Sequence, residues 1–250
     1  MYLEIETSKL QQLKQIRNKM TRFMMNYKFG LDEMNTKLKI LKEEFQNIHD
    51  YNPIEHINSR LKTPESILNK VYRKKIDLSL DSIKENIHDI AGIRIVCSFL
   101  SDIYKVSDMI RQQEDVTVIS IKDYIKNPKP NGYRSLHIIL SIPVFLSDRT
   151  ENVLVEIQIR TVAMDFWASL EHKIYYKYNK DVPVSMFNEL KSAADVATDL
   201  DYRMERLHNE VKVIKGTNTN EDLSLMQIDN ERFHLPFIFL ESLLKDENNK

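Results

Sequence analysis

The middle third of this chain changes period, and that change limits what it can fold into. Four stretches, "IRIVCSF" (93–99), "VTVISI" (116–121), "YRSLHIILSI" (133–142) and "VLVEIQI" (153–159), are rich in β-branched and aromatic residues and mostly alternate in polarity. That is the pattern of strands. Helical "LSDIYKVSDMIRQQ" separates the first two strands. Upstream, "KLQQLKQIRNKMTRFMMNYK" sets Leu10, Leu13, Ile16, Met20 and Phe23 three and four residues apart, and "LKILKEEF" continues the run. Gly30 is expected to break this region into two helices. Thr63 and Pro64 supply an N-cap and a first helical position for a helix to about Lys75, and Asp81 is expected to cap another that ends at Asp89. From Ala163 the helical period returns. The expected fold is α/β (α+β), one mixed sheet flanked by N- and C-terminal helices. Its expected parts are N-terminal helices (1–52), a core (53–180), C-terminal helices (181–215), and a hinge and tail (216–250).

Composition narrows the chemistry. The four glycines, at 30, 92, 132 and 216, are scattered. Phosphate-binding loops and dinucleotide fingerprints need clustered glycines, so neither can be present. Any nucleotide must be gripped by side chains, helix N-termini and metal. A net charge of −1 gives no global basic field for nucleic acid, so a polyanion site must be a local patch. The single cysteine, Cys97, excludes an internal disulfide framework and cysteine-rich zinc, and suits a reducing compartment. No apolar run approaches the roughly 20 residues that span a bilayer, and "MYLEIETSKLQQ" lacks the order of a signal peptide. A cytoplasmic location is expected.

Polar residues interrupt the strands in a consistent way. In "VLVEIQIR", Val153, Val155, Ile157 and Ile159 face one side, while Glu156, Gln158 and Arg160 face the other. A polar sheet face is ordinarily just solvated. Here Arg94 stands opposite Ile93 and Ile95, and Tyr133 with His137 marks a third strand. Three such strands suggest one lined cleft, because a solvated face normally carries Lys, Thr and Glu without a Tyr/His pair. Asp89 and Glu156 are the candidate metal carboxylates, since Mg²⁺ takes one or two of them with phosphate oxygens and water. Asp89 alone reads equally well as a surface residue at a helix end.

The stretch "SRLKTPESILNK" puts Arg60 and Lys62 on one side of an extended approach to a helix start. Ser66 falls in the first turn, where free amides favour an anion, and Lys70 lies one turn further on. A basic exposed helix is common; here the cap, the hydroxyl and the spaced cations agree on a polyphosphate. Asn131-Gly132 is a strong turn signal. It leaves Lys122, Lys129, Tyr133 and His137 unexplained, and these suit a purine stacked on Tyr133 with cations on its phosphates.

Together "RLKTPESILNK", "DIAGIRIVC", "IKDYIKNPKPNGYRSLH" and "VEIQIRT…FWASLEHKIYYKY" resemble, in order across residues 55–180, the synthetase domain of the RelA/SpoT family, specifically a stand-alone small alarmone synthetase. The resemblance implies a nucleotidyltransferase-like sheet and transfer of the β,γ-pyrophosphate of ATP to the 3′-hydroxyl of GDP or GTP, giving AMP and (p)ppGpp. It implies Arg60 and Arg94 on either face of adenine, and Lys62, Ser66, Lys70 and Lys122 on the ATP phosphates. Asp89 and Glu156 would hold Mg²⁺, with Glu156 also the general base. Tyr133 would stack on guanine, Lys129, Asn131 and His137 would orient the acceptor, and Gln158 would support the site. Symmetric tetramers in the family imply a homotetramer, for which the stripe Leu190, Ala193, Ala194, Ala197, Leu200 and Met204 could serve as interface or as internal packing.

Two positions depart from the family pattern. Ser120 stands where bifunctional relatives usually carry Arg, and Asp165 where small synthetases can place Asn. The chain has no room for the hydrolase and regulatory domains of the long enzymes, so synthesis alone is expected. Two rivals compete. A metal-dependent phosphohydrolase is suggested by the His-Asp dipeptides at 49–50 and 88–89, but the seven histidines are scattered. A non-catalytic nucleotide- or RNA-binding module would use the exposed aromatics and bases, yet a mid-strand Glu would repel phosphate unless a metal intervened.

Overall fold

The computed structural model describes residues 2–48, 51–177, 183–215, 225–228, 231–239, 242 and 244. The dipeptide at 49–50 and the expected hinge at 216–220 lie outside them. In chain order the elements are α1 (Tyr2–Ile48), β1 (Ile54–Leu61), α2 (Pro64–Lys74), α3 (Leu80–Asn86), β2 (Ala91–Cys97), α4 (Leu100–Arg111), β3 (Thr117–Asp123), β4 (Leu136–Phe145), β5 (Thr150–Thr161), α5 (Val162–Lys177) and α6 (Val184–Lys215). A small antiparallel hairpin, β6 (Leu225–Ile228) and β7 (Glu231–His234), follows.

Five strands form one sheet in the order β1-β2-β5-β4-β3. Only β2 and β5 are parallel; the other pairs are antiparallel. The strict alternation of β4 and β5 puts Ile138, Leu140, Ile142, Val153, Val155, Ile157 and Ile159 into the core. The second half of α1 (Tyr27, Leu31, Met34, Leu38) and α4 (Ile103, Val106, Ile110) join that cluster. Each such aliphatic side chain contributes about 1.5–3 kcal/mol when taken fully from water. The opposite, half-polar face stays open and carries the candidate site.

Several expectations are corrected. The N-terminal region is one unbroken helix of 47 residues. Gly30 does not end it; the helix there lies so close to β5 that a Cβ would sit 2.7 Å from Val153 Cγ1. Of the expected stripe, Phe23 packs on the core, whereas Leu10, Leu13 and Ile16 are exposed by 57–62%. The segment before Leu61 is an edge strand, β1, missed because "IEHINSRL" exposes most of its side chains and so needs few apolar residues. The cap of α3 is Ser79, whose side chain accepts from the Ser82 amide, and the helix stops at Asn86. Asp89 therefore lies in the connection leading into β2. Strand β4 begins at Leu136, so Tyr133 belongs to the preceding loop, and β3 extends through Lys122.

Candidate active site

Register assembles the site. Two neighbouring rows cross the open face. One runs Lys122, His137, Gln158, Arg94 and Asn58 through successive strands; the other includes Glu156, Gly92 and Arg60. Residues two apart on a strand share a face, so Glu156 and Gln158 point together, as do Gly92 and Arg94. A cavity of about 190 Å³ opens among Arg60, Gly92, Arg94, Glu156 and Gln158. A side chain at Gly92 would stand 3.8 Å from Arg60 Cγ; its absence leaves a slot beside both arginines.

Below the slot is a cationic cradle. Thr63 caps α2 by accepting from the Ser66 amide, and its hydroxyl donates to Ser66 Oγ at 2.9 Å. Lys62 and Lys70 converge on Asp89, with Nζ 2.9 Å from Oδ2 and 2.7 Å from Oδ1. Burial works to raise the Asp89 carboxyl, but hydrogen bonding and charge from Lys70 and Lys62 prevail and hold it below the usual carboxylate range. Glu156 behaves alike: burial opposes ionisation, and His137 and Gln158 outweigh it, lowering the carboxyl. The negative charge of Asp89 is felt at Glu156 as a small opposing effect. Two ionised oxygen donors beside a phosphate cradle fit the coordination taste of Mg²⁺, which leaves most of its octahedron to substrate and water.

The third part is the loop before β4. Gly132 has φ +89°, a left-handed conformation that suits glycine, and a Cβ there would meet Ala194 Cβ of α6 at 2.5 Å. Asn131 spends its amide locally: Oδ1 accepts from the Tyr133 backbone N–H and Nδ2 donates to Glu171 Oε1 at 3.0 Å. Lys129 Nζ lies 4.7 Å from the Tyr133 ring centre and 4.8 Å from that of Tyr124. The Tyr133 hydroxyl is 2.8 Å from His137 Nε2, and His137 Nδ1 is 3.4 Å from Glu156 Oε1.

The thirteen candidate residues gather in groups, with Arg60, Arg94, Glu156 and Gln158 at the slot, Lys62 and Lys70 on Asp89, and Lys129, Asn131 and His137 around Tyr133; Arg60, Ser66, Lys122 and Lys129 are exposed. Sequence reasoning did not rank Arg160, Asp165 or Tyr124 among them. Arg160 is 4% exposed and donates to Tyr133, Gln158 and Asp165; Asp165 Oδ1 also lies 3.2 Å from Arg94 Nη1. The polar alternation of β5 was the available signal for Arg160, but its burial is invisible in a strand pattern. The α6 stripe divides: Leu190 and Ala194 are buried with Trp167 beneath Tyr133, while Leu200 and Met204 are exposed. In the dipeptide His88-Asp89 the carboxylate is held by Lys62 and Lys70. His88 is half-buried with Nε2 near the Glu85 carbonyl, and among the described residues no three His, Cys, Asp or Glu gather to hold a metal.

Residues 59–181 match the family model described as the region found in RelA / SpoT proteins. The chain is 51% identical over 209 residues to GTP pyrophosphokinase YwaC of Bacillus subtilis (strain 168), covering 84% of this chain and 100% of that protein. It is 39% identical over 191 residues to GTP pyrophosphokinase YjbM of the same organism, covering 76% and 89%. The crystal structure of small alarmone synthetase 1 from Bacillus subtilis, bound to its product pppGpp, matches with a TM-score of 0.74 at 38% identity, over 78% of this chain and 99% of that one. Small alarmone synthetase 2 from the same organism matches with a TM-score of 0.69 at 54% identity, over 75% and 96%.

Proposed function

The chain belongs to the RelA/SpoT family, among its stand-alone small alarmone synthetases, and on that premise we propose that it transfers pyrophosphate from ATP to the 3′-hydroxyl of GDP or GTP, giving AMP and (p)ppGpp. The observation that carries the reading is Glu156. It is an ionised mid-strand carboxylate in the wall of the arginine-lined slot, and His137 links it to the tyrosine-lysine loop.

Glu156 takes the proton of the 3′-hydroxyl, and that oxygen attacks the β-phosphorus of ATP. The new P–O bond forms as the bond from the β-phosphorus to the α,β-bridging oxygen breaks, and AMP leaves. Such a transfer depends on in-line positioning and neutralisation of charge more than on covalent help. Arg60 and Arg94 clamp adenine in the slot beside Gly92, while Lys62, Ser66, Lys70 and Lys122 meet the phosphates. Tyr133 stacks on guanine. Lys129 and His137 orient the acceptor, Asn131 fixes the loop that carries Tyr133, and Gln158 steadies the base. Mg²⁺, held by Asp89 and Glu156, would neutralise charge on the transferring phosphates.

The enzyme works as a homo-oligomer, a tetramer by family likeness. Supporting this are the exposed apolar side chains Leu10, Leu13 and Ile16 on α1 and Leu200 and Met204 on α6, which a second copy would cover. Among the described residues no helix is long and apolar enough to cross a membrane. The enzyme's place is the cytoplasm, where its nucleotide substrates are abundant and a thiol such as Cys97 stays reduced.

The test is Glu156→Gln in a chromatographic assay with ATP, Mg²⁺ and GDP or GTP. Loss of a general base costs about 10²–10⁴-fold in rate, while both nucleotides should still bind. Undiminished turnover would remove Glu156 from the role.

A further inference from the structure

We propose that Arg160 is the positioning residue for the general base, acting on Glu156 through two arms without touching the reacting atoms, one hydrogen-bonded through Gln158 and one running through Tyr133 and His137 to ion-pair distance; the proposal rests on Glu156 as that base. A guanidinium only 4% exposed must be paired to persist. Here Nη1 donates to Asp165 Oδ1 at 3.0 Å, so its charge is met by a carboxylate. The other terminal nitrogen, Nη2, donates to the Tyr133 oxygen at 2.6 Å and to Gln158 Oε1 at 2.9 Å.

A guanidinium can only donate, so Arg160 is the donor in both arms. The Tyr133 oxygen accepts from Arg160, and in the proposed arrangement its own proton goes to His137 Nε2 at 2.8 Å. Nε2 therefore accepts, the ring proton sits on Nδ1, and Nδ1 points at Glu156 Oε1 across 3.4 Å. On the other arm Gln158 Oε1 accepts from Arg160, so its amide nitrogen must be the end that donates to Glu156 Oε2, at 3.0 Å. One donor hub thus fixes a histidine tautomer and an amide orientation, and both arms finish on the two oxygens of a single carboxylate. Orientation by an outer partner is how many ligating and catalytic groups are aimed, and its loss usually costs about 10–100-fold in activity. The same arrangement joins the guanine seat to the base, because Tyr133 is a link in one arm.

The test reads the histidine directly. ¹⁵N spectra of histidine-labelled, nucleotide-free protein at about pH 8, where a free imidazole is neutral, should show His137 protonated on Nδ1. Tyr133→Phe keeps the ring and removes the hydroxyl; Arg160→Met keeps length and removes every donor, while Asp165 retains Arg94. Both variants should lose the Nδ1 preference. In Arg160→Met, which cuts both arms, kcat should fall about 10–100-fold with KM for ATP near the wild-type value; Tyr133→Phe should lose less. A wild-type His137 protonated on Nε2 or on both nitrogens overturns the proposal. So does an unchanged tautomer in Tyr133→Phe, which decides alone if Arg160→Met does not fold. No nucleotide is present in this measurement, so a wild-type protein that makes no (p)ppGpp would end the proposed function while leaving this test intact.

Discussion

Replacing Gly30 by alanine sets two effects of known size against each other. In a helix interior Gly→Ala is worth about 1 kcal/mol in favour of the variant. At this position the new methyl would lie 2.7 Å from Val153 Cγ1 and 3.0 Å from Val153 Cβ, well inside contact distance. Val153 cannot swing clear. It is β-branched and stiff at χ1, 3% exposed, and paired across the ladder with Ile142. Overpacking of this kind costs about 1–3 kcal/mol. The net expectation is a destabilisation of about 0–2 kcal/mol, since the clash exceeds the propensity gain. At this chain length each kcal/mol moves Tm by about 2–4 °C. Thermal denaturation of Gly30→Ala, Val153→Ala and the double variant should show the pair coupled by roughly 0.5–3 kcal/mol, the double being more stable than the sum of the singles implies. A rise in Tm for Gly30→Ala, or strict additivity with Val153→Ala, would refute the close approach and restore the helix-break reading.

Other expectations concern charge and metal. Asp89 and Glu156 ionise more readily in the folded chain than in the unfolded one. Their contribution to stability is complete above the ordinary carboxylate range, about pH 4, and is lost as pH falls through the lowered folded values; acid titration of Asp89→Asn should show a smaller loss than wild type. Asp201 is pushed up to about 6 by burial, which outweighs the opposing hydrogen bond donated by Thr161. The folded state binds its proton more tightly, so the ionised form costs stability above about pH 6. Asp201→Asn should therefore be more stable than wild type at neutral pH, with the advantage closing below about pH 4; an equal gap at every pH would contradict this. Chelation of divalent ions should abolish product formation and added Mg²⁺ should restore it, with Asp89→Asn needing far more Mg²⁺ than wild type for any residual rate.

Much of the site was legible because it depends on local chemistry. The alternation in "VLVEIQIR" placed Glu156 and Gln158 on a face of their own, and Thr63-Pro64 fixed where α2 starts and hence where Ser66 sits. Arg160 was visible as a polar residue but not as a hub, because nothing in a strand pattern says that Tyr133, Gln158 and Asp165 will close over it. Strand β1 was overlooked because an edge strand with one exposed face needs little apolar signal, yet it brings Arg60 to Gly92.

By itself the amino-acid order determined the fold class, the lack of any glycine-built phosphate loop and most residue types of the candidate cleft, since periodicity, capping and composition act over a few residues. Only the tertiary structure decided that α1 passes Gly30 without breaking, that Asp89 is held between Lys62 and Lys70, and that two arms from Arg160 end on Glu156. These follow from distances between segments remote in the chain, which depend on how the sheet, α1 and α6 pack, and no local pattern encodes them.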